Sequence, residues 1–97
     1  MSWKMVKVRV FVRLRPGVWD AHGTKAFREI QRFDIEGVSR VSRVRHGKIY
    51  DFEVHSPSNR AALRLLRPVC KGLMINPIIE TFQMKIIRER NPWPYPA

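Results

Sequence analysis

A chain of 97 residues with 44% hydrophobic side chains makes one domain around one modest core, and a second core does not fit. Nineteen Lys and Arg against eight Asp and Glu give a net charge of +11, which draws the chain to polyanions: nucleic acid, acidic lipid or an acidic protein face. The single cysteine, Cys70, excludes an internal disulfide framework and a cysteine-rich zinc site, and no apolar run reaches the length of a membrane span or a signal peptide core, so a cytoplasmic protein is expected.

Met5 to Leu14 alternates with period two. Val6, Val8, Val10, Val12 and Leu14 share one face, and Lys7, Arg9, Phe11, Arg13 and Arg15 share the other, which predicts a half-buried strand. Pro16-Gly17 ends it in a turn. Asp20 is placed to cap a helix that begins just after it, with Ala26, Phe27, Ile30 and Phe33 at helical spacing. Gly23 in its first turn weakens the helix and marks close packing or backbone approach. Val38, Val41 and Val44 stand among Arg40, Arg43 and Arg45, and a strand is expected over Ser39 to Arg45. His46-Gly47 would then turn a hairpin into a clear strand, Lys48 to Val54. In that strand Tyr50, Phe52 and Val54 oppose Ile49, Asp51 and Glu53.

Ser56-Pro57-Ser58 starts a second helix, Asn59 to Met74. Ala62, Leu65, Leu66, Val69, Cys70 and Leu73 form its apolar arc; Arg60, Arg64, Arg67 and Lys71 form a stripe almost opposite. Pro68 removes one backbone bond and predicts a kink or break. After Asn76-Pro77 comes a last strand, Ile78 to Arg88. The alternating prolines of residues 91–97 favour an extended tail outside the domain of residues 1–90. Strand, helix, strand, strand, helix, strand implies an α+β two-layer sandwich: a mainly antiparallel sheet with both helices on one face. The other face, carrying Phe11 and Ile49, invites a partner or a second copy.

Residues suited to catalysis are sparse. His22, His46 and His55 have no helical metal-ligand spacing and read as turn residues, and no metal site is expected. Asp51 and Glu53 share a strand face as an acid/base pair would, but read better as charge partners of the arginine-rich strand before them. Cys70 sits on the apolar arc as a buried thiol. No glycine-rich phosphate loop occurs. The element order also fits a basic RNA-binding domain, with His46 to Val54 as an aromatic strand. Two features weaken that reading. Asp51 and Glu53 would repel phosphate, and Tyr50, Phe52 and Val54 make the better core face.

Three segments together resemble the PurS family. VRVFVRLRPGVWDAHG (Val8 to Gly23) carries Leu14, Pro16, Gly17, Val18, Asp20 and Gly23 where that family has its Leu-x-Pro-Gly-Val-x-Asp-x-x-Gly pattern. RHGKIYDFEV (Arg45 to Val54) supplies Gly47-Lys48 and the apolar strand. CKGLMINPIIE (Cys70 to Glu80) supplies Asn76, Pro77, Ile79 and Glu80. The resemblance spans Met5 to Arg88. It implies the α+β sandwich, pairing into a homodimer or higher oligomer, and a non-catalytic role in the phosphoribosylformylglycinamidine (FGAM) synthase complex of purine biosynthesis. There it implies bridging a PurQ-like glutaminase and a PurL-like synthetase and supporting ammonia transfer between them. No cofactor is implied in this chain; ATP and Mg would belong to the synthetase. The chain departs from the family in Ala21, which replaces a helix-opening proline, and in the basic second helix where relatives tend to be acidic. The alternative is a basic RNA-binding or adaptor domain with another client.

Overall fold

The computed structural model describes residues 2–88, and the proline-rich tail of residues 91–97 lies outside them. Strand β1 (Lys4–Leu14) is the centre of a three-stranded antiparallel sheet, flanked by β2 (Gly47–Ser56) on one side and β3 (Glu80–Ile87) on the other. Helix α1 (Ala21–Gln31) and a short 3-10 turn (Val38–Arg40) connect β1 to β2. Helix α2 (Asn59–Val69), continued by a π-type turn (Cys70–Met74), connects β2 to β3. The α+β antiparallel architecture expected from the sequence is the one observed, built on three strands.

The alternating valines decide which sheet face is covered. Val6, Val8, Val10 and Val12 are all buried on one face of β1. Register brings Val54, Phe52 and Tyr50 beside Val6, Val8 and Val10 from one edge. Ile86, Met84 and Phe82 stand beside Val8, Val10 and Val12 from the other. Ala62, Leu66 and Cys70 of α2 close this core, with Leu63, Met74 and Ile75 packed around them. Each fully buried valine contributes roughly 1.5–3 kcal/mol. On the opposite face Phe11 lies next to Ile49, which is 59% exposed.

The expected strand over Ser39 to Arg45 does not form. Gly37 takes a left-handed φ of 82°, and the amides of Arg40 and Val41 donate to the carbonyls three residues back, of Gly37 and Val38. The spacing of Val38 and Val41 therefore reports the 3-10 turn, not a strand, and Val44 lies beyond it. The chain leaves the turn extended at Val41, continues to His46 without regular secondary structure and enters β2 at Gly47, so His46-Gly47 is not a hairpin turn. The partner of β2 is β1, so the carboxylate of Asp51 meets Arg9 rather than an arginine of the preceding segment (Nε to Oδ1, 2.8 Å), and Glu53 stands opposite Lys7. Helix α1 contributes no residue to the buried core; its one buried residue is Gly23.

Pro68 acts as its chemistry requires. With no amide hydrogen it cannot donate to Arg64, the α-helix ends at Val69, and the amide of Ile75 reaches the carbonyl of Cys70 five residues back, at 3.2 Å. The wider turn rotates Leu73 off the buried arc. Leu73 is 82% exposed and Leu65, at the edge of the arc, 56%, so neither joins the core as the helical spacing predicted. Residues Asn76 to Ile79 turn, so β3 starts at Glu80 rather than Ile78.

Candidate functional site

The three motif segments meet at one end of the sheet, where β1 ends and β2 and β3 begin. Pro16 and Gly17 (φ 86°) turn the chain out of β1 toward α1. Asp20 caps α1: Oδ1 accepts from the amide of Gly23 at 2.8 Å, and Oδ2 accepts from the amide of His46 at 2.7 Å. One carboxylate thus ties the helix start to the lead-in of β2. Those two backbone bonds, His46 first, hold its carboxyl below the ordinary carboxylate range. Gly23 is the residue that lets the two segments touch, because a side chain there would run into the Val44 carbonyl. Gln31 fastens the other end of α1, donating to the carbonyls of Val38 (3.2 Å) and Val41 (3.1 Å).

The third motif closes the same end. Asn76 Oδ1 accepts from the amide of Ile78 at 3.1 Å, and Glu80 Oε1 accepts from the amide of Asn76 at 2.8 Å. The Pro77 carbonyl accepts from Arg15 Nε at 3.1 Å, and the Ile79 carbonyl from the Arg15 amide at 2.8 Å. Glu80 also faces Lys48 across β1, 3.8 Å from Nζ to Oε2. Gly47 lies where a Cβ would stand 2.8 Å from the Val12 carbonyl oxygen. A cleft of about 240 Å³ between these segments is lined by Trp19, Asp20, His22, His46, Lys48 and Glu80, among others. So Pro16, Gly17, Asp20, Gly23, Gly47, Lys48, Asn76 and Pro77, scattered in the sequence, form one clasp.

The His22 and His46 rings meet with 4.8 Å between centroids and their planes tilted by 38°. Sequence spacing gave no sign of this pair, since it depends on Asp20 drawing His46 to the start of α1. Among the described residues no three His, Cys, Asp or Glu side chains gather as a metal ion needs, and no helix is long and apolar enough to cross a membrane. Cys70 is buried against the valine row, and desolvation raises its thiol pKa, partly offset by Arg67. A thiol in that state is a packing group, not a nucleophile.

The basic stripe is real and exposed. Arg60, Arg64, Arg67 and Lys71 all face solvent, and none forms an ion pair among the described residues. No Asp or Glu occurs between Glu53 and Glu80 to offset them. The stripe contains like-charge neighbours at i+4, i+3 and i+4, each destabilising by about 0.2–0.5 kcal/mol. Arg60 also sits in the first turn, at the positive end of the helix dipole. Helix α2 holds this charge because Ser58 Oγ caps it, accepting from the Ala61 amide at 3.1 Å, and because Leu66 and Ala62 anchor it.

Comparison with known proteins places this architecture. The family model described as PurS, phosphoribosylformylglycinamidine (FGAM) synthase, matches residues 7–88 and so contains all three motif segments. The chain is 33% identical over 78 residues to the phosphoribosylformylglycinamidine synthase subunit PurS of Synechocystis sp., covering 80% of this chain and 75% of that one. It is similar in structure to PurS of Methanocaldococcus jannaschii, with a TM-score of 0.73 at 22% identity over 84% of this chain and 95% of that one. It also resembles a chain in the PurLQS structure from Thermotoga maritima, with a TM-score of 0.66 at 22% identity over 87% of this chain and 99% of that one.

Proposed function

This chain belongs to the PurS family, and we propose that it serves FGAM synthase, in purine biosynthesis, as a non-catalytic subunit. It would join a PurL-like synthetase and a PurQ-like glutaminase and support the passage of ammonia from one to the other. The observation that carries this reading is how the motif residues use their polar groups. Both oxygens of Asp20 accept backbone amides, Asn76 and Glu80 hold the turn into β3, and Lys48 faces Glu80. These side chains are engaged in fixing the backbone of one end of the sheet, which suits a rigid docking frame. The PurLQS structure to which the fold is similar supports assembly with the two large subunits.

Self-association belongs to the same proposal. The apolar pair Phe11 and Ile49 lies on the sheet face opposite the core, which no helix among the described residues covers, and Trp19, Phe33 and Ile35 around α1 are exposed. A homodimer would bury such surfaces. Cytoplasmic residence follows from the proposed partners. The test is co-elution: mixed with the synthetase and glutaminase of its own organism, the chain should move into one complex of larger mass. Separate elution of all three at micromolar concentration, with glutamine and nucleotide present, would overturn the reading.

A further inference from the structure

We propose that His22 and His46 form a two-imidazole clamp for a divalent transition ion of the zinc class, which ties the start of α1 to the lead-in of β2. The clamp is a property of this chain alone, independent of the assembly reading above, and needs neither large subunit.

The separation of the rings fits one shared ion. An imidazole nitrogen binds zinc at about 2.0–2.1 Å, which puts the ring centre about 3.2 Å from the ion. Two imidazoles on neighbouring positions of one ion then have centres about 4.5 Å apart at a right angle and about 5.2 Å apart at the tetrahedral angle. The His22 and His46 centroids are 4.8 Å apart, between those limits. The 38° tilt of the planes is compatible with it, because each ring can rotate about its own bond to the ion. Both residues are exposed, so each ring has room to turn a nitrogen toward the other.

The backbones that carry the rings are already fixed. Asp20 Oδ1 caps the first turn of α1, which bears His22, and Asp20 Oδ2 accepts from the His46 amide. Ligands held in this way lose little freedom when they bind, and a bound ion would reinforce the same junction.

The local charge also favours a cation. In a chain of net charge +11, the cleft of about 580 Å³ at this end of the sheet is lined by Arg13, Arg45 and Lys48 with no acid. The cleft of about 240 Å³ that holds both histidines has Asp20 and Glu80 against Lys48. Arg45, beside His46 in sequence, donates to the Leu14 carbonyl. Asp20 and Glu80 already accept backbone amides, so they act through charge and the imidazoles are the ligands. No third His, Cys, Asp or Glu among the described residues completes a closed cage, so water fills the remaining positions and the ion is exchangeable. Nitrogen donors select zinc, nickel or copper over magnesium and calcium, which take oxygen.

The experiment titrates the full chain, carrying no polyhistidine tag, with zinc chloride in a calorimeter and follows melting by circular dichroism. One zinc should bind per chain in the micromolar range. Magnesium at millimolar concentration should not compete. At about a hundredfold excess over its dissociation constant, zinc should raise the melting temperature by at least about 5 °C. His22→Ala and His46→Ala should each weaken binding by at least about tenfold and remove the melting shift. His55→Ala, at the opposite end of β2, should leave both unchanged. If His46→Ala does not fold, His22→Gln, at an exposed helix position, carries the test. Zinc binding only above about 1 mM overturns the proposal. So does binding that survives both alanine substitutions, or an equal loss in His55→Ala. None of these results bears on assembly with the large subunits, which co-elution tests separately.

Discussion

Replacing Gly23 with alanine tests how closely α1 is seated on the lead-in to β2. In a helix this change is ordinarily favourable, by up to about 1 kcal/mol. The backbone of Gly23 is not left-handed, so alanine meets no conformational obstacle. The obstacle lies outside the helix. A Cβ would overlap the Val44 carbonyl oxygen and stand 2.6 Å from Asp20 Oδ2. Neither neighbour yields freely. Val44 is two residues from the His46 amide, which Asp20 holds at 2.7 Å, and the same carboxylate accepts from Gly23 itself. Relief requires α1 and the segment before β2 to part, which loosens both bonds of the cap. Overpacking of this kind costs about 1–3 kcal/mol, so a net loss of about 1–2 kcal/mol is expected. In a domain of this size that lowers the melting temperature by on the order of 5–15 °C. Gly72→Ala is the control. It sits in a helical turn with open space around its Cα, and should be neutral or slightly stabilising. Melting is followed by circular dichroism at matched protein concentration, because self-association would make it concentration-dependent. A Gly23→Ala protein that melts at or above wild type would refute the close seating of α1.

The other predictions concern the core, the cap and the thiol. Leu66→Ala, at a position 4% exposed beneath the valine row, should cost about 2–4 kcal/mol in urea unfolding. A cost under about 1 kcal/mol would mean that α2 does not close the core. Asp20 is held below the ordinary carboxylate range by the His46 and Gly23 amides, so its contribution to stability is present above that range and fades as pH falls through its lowered value. The stability gap between wild type and Asp20→Asn should therefore be open at pH 7 and narrow in strong acid; a gap independent of pH would contradict the carboxylate's role. Cys70 should resist a thiol reagent in the native protein and react at rates that rise with denaturant, whereas prompt native labelling would contradict its burial.

Much of the sheet was legible because period-two alternation is a strong signal where one face is buried. Val6 to Val12 and Tyr50 to Val54 were placed on the correct face by that rule alone. The segment from Ser39 to Arg45 misled for a physical reason: Val38 and Val41 bracket a 3-10 turn, and the residues after it pair with no strand. The chain is held there by α1, through Gln31 and Asp20, and no local pattern reveals such long-range side-chain bonds. Pro68 announced a break in α2, but not that a π-type turn would follow and carry Leu73 outward. Of the candidate site, the caps were legible one by one. Their convergence on one end of the sheet was not, because it arises from strand order. The basic stripe was fully legible, since helical spacing alone fixes it.

The most direct measurement of the central claim is the rate of glutamine-dependent amidation of formylglycinamide ribonucleotide by the two large subunits, with and without this chain. Ammonia-dependent amidation serves as the reference. The chain alone should turn over nothing. Added to the large subunits, it should raise the glutamine-dependent rate well above the ammonia-dependent change. Equal glutamine-dependent rates with and without it, or turnover by the chain alone, would contradict a docking subunit.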